Sequence, residues 1–232
     1  MVSIIGPNGS GKSTLIKLIS GDVDISCGSI SFLNKEIKNW SLIEIANHRA
    51  VLSQSNHLSF PFSVFNIVKM GRYPIYKKGN SDLEDEICMK VLDDFDLSKH
   101  VNQNYTTLSG GEKQRVQLSR VLAQIHSIDS YKGKMLLLDE PTSYLDIKHQ
   151  QILFDLLKGL NKKGLTVIMV LHDLNHAVMY SNKIMMLKKT EMISFGESEN
   201  VINEENLSKV FDINLKLINN KDLKKPIIVN LN

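Results

Sequence analysis

Gly6, Gly11, Lys12 and Ser13 close a run spaced Gly-x-x-x-x-Gly-Lys-Ser, a pattern suited to wrapping phosphate. Glycines let successive backbone N–H groups turn inward. Gly6, Pro7, Asn8, Gly9, Ser10, Gly11, Lys12, Ser13 and Thr14 therefore form a candidate nucleotide cradle. Lys12 would reach the β- and γ-phosphates, and the Ser13 hydroxyl would ligate Mg²⁺. Further on, the apolar run Met135-Leu136-Leu137-Leu138 closes on Asp139 and Glu140. There Asp139 can hold Mg²⁺ through water, and Glu140 can take a proton from an attacking water, help worth roughly 10²–10⁴ in rate. Two acids ending a strand at the surface are common alone, but not beside a phosphate-wrapping lysine. His172 follows a second apolar run and is a candidate to touch a γ-phosphate and orient the water. Gln54, at the end of a third, is a candidate contact to Mg²⁺ and that water; only the ensemble raises it. The catalytic set is thus Glu140, His172, Gln54 and Lys12, and the metal set is Ser13, Gln54 and Asp139.

Leu108-Ser109-Gly110-Gly111-Glu112 carries a second signal. Ser109 can cap a helix, with Glu112 three residues on as its capping-box partner and Val116, Val121, Leu122 and Ile125 following. A helix N-terminus with two glycines and a serine also binds anions. Two such devices in one chain imply a nucleotide gripped from both sides. Other residues weigh less. Asp146 is read as a helix cap or as a contact across a dimer interface. His172 and His176 have helical metal-ligand spacing, but no third ligand stands out, so His176 is read as helix surface. Lys77-Lys78 and the run 221–225 read as solvated faces.

Elements must hold these groups in place. Residues 2–5 read as a strand before the glycine loop, 12–20 as a helix stopped by Gly21, and 28–37 as a hairpin turning at Asn34-Lys35. Ser41 and Glu44 signal a short helix, and a strand runs to Gln54. Residues 63–70 and 82–95 look helical, the second with Leu83, Ile87, Val91, Leu92 and Phe95 on one face. Between them, 71–79 is rich in turns. A polar loop at 127–134 precedes the Asp139 strand, and a helix at 147–162 is followed by a strand at 165–171. After a helix at 173–180, strands at 184–187 and 192–195 flank a turn. The tail carries a small helix near 204–211 and two weak strand signals. Strands alternating with helices predict an α/β sheet covered on both faces. Residues 63–125 form an inserted helical lobe. One domain of 1–232 is expected, with a core of 1–57 and 127–232 and a helical subdomain of 58–126.

At 232 residues the chain has ample core for this. Charged residues are 23% and the net charge is +3, which demands no nucleic-acid partner. Cys27 and Cys88 form no C-x-x-C pair, which fits a reducing cytosol and speaks against a structural metal site. No apolar run reaches the length of a membrane span, and no leader precedes the glycine loop. Work at a membrane would require a partner.

In order, Gly6 to Thr14, Gln54, Leu108 to Glu112, Asp139-Glu140, Ser143-Tyr144-Leu145-Asp146 and His172 resemble an ABC-transporter ATP-binding subunit. They match its Walker A, Q-loop, signature, Walker B, D-loop and switch histidine. The stretches around Gln54, Phe60-Pro61-Phe62 and Gly71-Arg72-Tyr73-Pro74 look like the iron-chelate and haem importer branch. Residues 107–124, the polar insertion 127–134 and residues 136–150 look most like its haemin importers. The resemblance implies a phosphate-loop NTPase (RecA-like) core with a β-subdomain and an inserted α-helical subdomain. It implies ATP and Mg²⁺ as ligands, and a homodimer in which Lys12 of one copy and Ser109 of the other grip one ATP. It also implies two copies of a membrane permease seated on the helical lobes, a substrate-binding protein outside, and a peripheral location on the cytoplasmic face of the membrane. Ferric-siderophore and cobalamin importers use similar ATPases. A soluble non-transport ATPase and an idle cassette are the rivals, but the interval from Lys12 to Ser109 leaves no room for the coiled coil of DNA-repair relatives. Few residues precede Lys12, so the β-subdomain is expected to be truncated, without sheet neighbours for residues 2–5 and without an aromatic to stack on adenine.

Overall fold

The computed structural model describes residues 1–54, 60–76, 81–127, 130–219 and 225–230. It opens with β1 (Val2–Ile5), α1 (Lys12–Ser20), a hairpin of β2 (Ser31–Phe32) and β3 (Lys35–Glu36), α2 (Leu42–Ala46) and β4 (Arg49–Leu52). Helices α3 (Val64–Met70), α4 (Tyr73–Tyr76), α5 (Ser81–Asp93) and α6 (Gly110–Ile125) come next. Then follow β5 (Met135–Asp139), α7 (Ile147–Lys162), β6 (Thr166–Val170), α8 (Leu174–Tyr180), β7 (Lys183–Lys188) and β8 (Glu191–Glu197). Two helices, α9 (Ser198–Val201) and α10 (Glu204–Phe211), lead to a hairpin of β9 (Leu215–Ile218) and β10 (Ile227–Asn230).

The main sheet runs β4-β5-β6-β1-β7-β8, parallel except for β8 against β7. One expectation falls here: β1 does not lack neighbours, because β6 pairs on one side and β7 on the other. A parallel sheet recruits its neighbours through crossovers, so adjacency in sequence does not predict adjacency in space. This order also gathers the chemistry. The glycine loop leaves the C-terminal end of β1, Asp139 ends β5, His172 follows β6 and Gln54 follows β4. All four ends open on one side of the sheet, where α/β proteins bind ligands.

Alternate side chains of the strands face opposite layers. Ile4, Met135, Leu137 and Val170 pack with Ile16 of α1 on one face. Ile5, Leu136, Leu138 and Met169 join a larger cluster on the other. That second cluster continues into the inserted helices through Val64, Ile67, Leu92, Phe95, Leu118 and Leu122, so lobe and sheet share one apolar core. The far end of α6 is pinned to the sheet. Gln124 Nε2 donates to the carbonyls of Ala46 (3.1 Å) and Arg49 (3.0 Å), and Lys134 Nζ donates to those of Ile125 (3.2 Å) and His126 (3.3 Å). Buried Arg72, paired with Glu84, donates to the Ala123 carbonyl beside them.

Smaller expectations shift. The hairpin turns at Leu33-Asn34, with φ of 51° and 59°, rather than at Asn34-Lys35. Leu83 stands at the edge of the apolar face of α5, not in it; Ile87, Val91, Leu92 and Phe95 are the buried residues. A short helix, α4, lies within the turn-rich segment. The subdomain boundary at 57/58, Lys77-Lys78 and residues 221–224 lie outside the described residues.

Candidate functional site

The glycine loop owes its shape to backbone only glycine adopts cheaply. At Gly6, φ is 155° and a Cβ would lie 2.1 Å from the Leu187 carbonyl oxygen. Gly11 caps α1 at φ 93° with no side-chain cap, which leaves the first N–H groups of α1 for a ligand. Lys12 is 6% exposed, and its Nζ donates to the carbonyls of Gly6 and Pro7, each at 2.9 Å. Burial holds this lysine below its ordinary range, against the pull of Glu140 and Asp139. An ammonium freed from water in this way interacts strongly with an incoming phosphate.

Asp139 is 4% exposed at the end of β5. Burial pushes its carboxyl up from the usual range, a hydrogen bond with Ser13 opposes that, and Glu140 adds to it. Its Oδ1 is buried without a hydrogen-bond partner. A buried carboxylate oxygen without a donor, bonded on its other side to the loop serine, suits a hydrated divalent cation. The residues present therefore fit Mg²⁺.

Glu140 is the next residue, and the chain turns sharply there with φ 52°. Its N–H donates to the Val170 carbonyl at 3.2 Å, tying the turn to the end of β6. His172 Nε2 lies 2.6 Å from Glu140 Oε1. The two side chains are thus in contact before any ligand is considered. Asn8, Gly9, Ser10, Gly11, Lys12, Ser13, Thr14, Gln54, Glu140 and His172 line one cavity of about 560 Å³. Thr190 also lines it and was not foreseen. It sits in the β7–β8 turn with φ 66°, and its methyl lies 3.6 Å from where a Cβ on Gly11 would be. Nothing in the sequence marks a Lys-Thr turn for this position.

Residues 108–112 do not line that cavity. The capping box forms as expected: the Ser109 N–H and hydroxyl donate to Glu112 Oε2 at 2.8 and 2.7 Å, and the Glu112 N–H donates back to Ser109 Oγ at 3.3 Å. Those bonds hold Glu112 below the usual carboxylate range, the Ser109 hydroxyl foremost. Leu108 is buried, and Gly110 and Gly111 lie against Tyr144. A Cβ on Gly111 would come within 2.8 Å of the Tyr144 carbonyl oxygen. Gln114 Nε2 adds a bond to the Pro141 carbonyl at 3.1 Å, another link sequence reading missed. Asp146 is a helix cap: its Oδ1 accepts from the His149 N–H and lies 2.8 Å from each of that residue's N and Nδ1.

His176 is not helix surface. Its ring packs against Phe154 and Tyr180, with centroids 5.0 and 5.9 Å away. Among the described residues no His/Cys/Asp/Glu group is arranged to hold a metal through several of its own side chains. No described helix is long and apolar enough to cross a membrane.

The chain is similar to known proteins along its length. The family model described as "ABC transporter" matches residues 1–143. The hemin import ATP-binding protein HmuV of Escherichia coli O157:H7 is 40% identical, over 99% of this chain and 88% of its own. Its namesake from Rhodopseudomonas palustris strain BisB5 is 40% identical, over 94% and 82%. Among solved structures, a metal-chelate-type ABC transporter in an inward-facing conformation matches with TM-score 0.79 and 28% identity, over all of this chain and 87% of that one. A dimeric ATP-binding cassette in a post-hydrolysis state with ADP and Pi matches with TM-score 0.74 and 27% identity, over 85% of each chain.

Proposed function

The chain belongs to the ABC transporter family, and from that premise we propose that it is the ATP-binding subunit of a haem importer, working as a homodimer. ATP hydrolysis coupled to transport is the activity of this family. The Glu140–His172 contact supports the division of labour: Glu140 accepts the proton of the attacking water, and His172 holds that carboxylate and meets the γ-phosphate. Lys12 and the N–H groups opening α1 bind the phosphates, and Gln54 reaches the same cavity from the end of β4. Ser13 and Asp139 would hold Mg²⁺, with Gln54 beside them, and the cation would supply positive charge to offset that of the phosphates.

Because residues 108–112 lie outside the cavity, the half-site at Ser109 serves a second copy. Gly110 and Gly111 present N–H groups to the partner's nucleotide, Ser109 stands beside them with its own N–H held by Glu112, and Leu108 and Glu112 fix the turn. Asp146 and the exposed residues beside it lie on the facing surface. Two permease subunits seat on the helical lobes, at the cytoplasmic face of the membrane, and a substrate-binding protein delivers cargo outside. Haem as cargo rests on the 40% identity to a hemin import protein across nearly the whole chain. In the reconstituted transporter, haem with its binding protein should raise ATPase turnover. Stimulation by a ferric siderophore or cobalamin alone would reassign the cargo.

A further inference from the structure

We infer that Asn175 is a positioning residue for hydrolysis, the point through which the C-terminal hairpin holds His172 against Glu140. This rests on the reading of His172 given above.

The geometry is local and complete. Asn175 Oδ1 accepts from the Ile228 N–H at 2.7 Å, and its Nδ2 donates to the Ile228 carbonyl at 3.1 Å. One amide thus satisfies both backbone groups of a β10 residue, as a neighbouring strand would. Asn175 stands three positions after His172, in the first turn of α8. Asp173 caps that turn by accepting the N–H groups of Asn175 (2.8 Å) and His176 (3.1 Å). The opposite end of α8 is also gripped by the tail. Lys225 Nζ donates to the carbonyls of Val178 (2.7 Å) and Ser181 (2.8 Å), so this lysine is not the solvated residue its charge run suggested. Burial holds it below the ordinary lysine range.

A helix of seven residues has little stability of its own, so its place is set by what it touches. On its other side, Tyr180 stacks on Phe154 at 3.9 Å and bonds to Gln151 at 2.9 Å, which fixes the C-terminal turn. The N-terminal turn, nearest His172, has the Asn175–Ile228 pair as its side-chain tie to the tail. His172 is half exposed, and its 2.6 Å contact with Glu140 depends on where that turn sits. A displacement of about 1 Å at a reacting group can cost up to ~10²-fold in rate.

The test uses the full chain and compares Asn175→Ala, His172→Ala and the double variant. Asn175→Ala should lower kcat for ATP by roughly 10-fold with KM changed less than about twofold. In the His172→Ala background the same change should have no further effect, since a residue acting through His172 has nothing left to position. Hydrogen exchange across 171–176 should accelerate in Asn175→Ala. Lys225→Met, at the far end, should cost less kcat than Asn175→Ala. Loss of turnover in His172→Ala with normal turnover in Asn175→Ala would overturn this inference alone. Additive losses, or a larger loss from Lys225→Met, would show general destabilisation and overturn it too. Normal turnover in His172→Ala would instead bring down the reading of His172, and this inference with it.

Discussion

Glu140 and Asp139 are neighbours with opposite demands. Glu140 faces the cavity beside His172, and Asp139 is buried behind the loop serine. Glu140→Gln keeps the shape but cannot take a proton. It should bind ATP normally, lose turnover by about 10²–10⁴ and accumulate as an ATP-bound dimer in light scattering; near-normal turnover would remove Glu140 from the base role. Asp139 predicts an effect on stability. Its folded pKa is raised, chiefly by burial, so the stabilisation from its proton is complete below the ordinary aspartate pKa and is lost as pH rises through the raised value. At neutral pH its charge is therefore a cost. Without nucleotide, Asp139→Asn should raise Tm by about 2–4 °C at pH 7, with the gain shrinking as pH falls toward the ordinary aspartate range. The same variant should lose Mg²⁺-dependent ATP binding. A lower Tm at pH 7 would contradict the buried-charge account.

At the scale of elements, close approach decides. Gly71 lets α3 end against α6, where a Cβ would sit 2.2 Å from the Arg120 carbonyl oxygen. Gly71→Ala should cost about 1–3 kcal/mol in urea unfolding. Gly159, inside α7 with open space around it, is the contrast: Gly159→Ala should stabilise by about 0.5–1 kcal/mol. Equal effects would mean that helix propensity, not the α3–α6 contact, governs both. Much of this level was legible in the chain. Periodicity marked α5, capping boxes marked α2 and α6, and Gly21 marked the end of α1, because those signals are local. Strand order was not legible, since β1 takes both neighbours from late in the chain. Nor was Thr190, whose turn has positive φ at residues with no such preference. The Asn175 link stayed hidden because its partner lies in a tail with weak strand signals. The site residues at strand ends were legible because their spacing is fixed by chemistry, not by packing.

At the scale of the whole molecule, the proposed homodimer makes the cavity and the capping box at Ser109 halves of different sites, and this can be tested. Mixing Lys12→Ala chains with Ser109→Arg chains makes dimers in which one site carries both lesions and the other none. The mixture should recover ATPase activity that neither variant has alone; no recovery at any ratio would count against a shared site. In that proposed dimer the pinned end of α6 would set how closure becomes movement. Gln124 and Lys134 fix that end to the sheet, whereas Ser109 at the other end is exposed. With 16 residues the helix is about 24 Å long, so a swing of roughly 10° about the pinned end carries Ser109 about 4 Å. In the proposed homodimer the helix would act as a lever, with its fulcrum at the sheet and its long arm toward the partner's cavity. Small rotations at the fulcrum would become large displacements at Ser109, and a force applied there would act on the core as a torque that grows with the length of the arm.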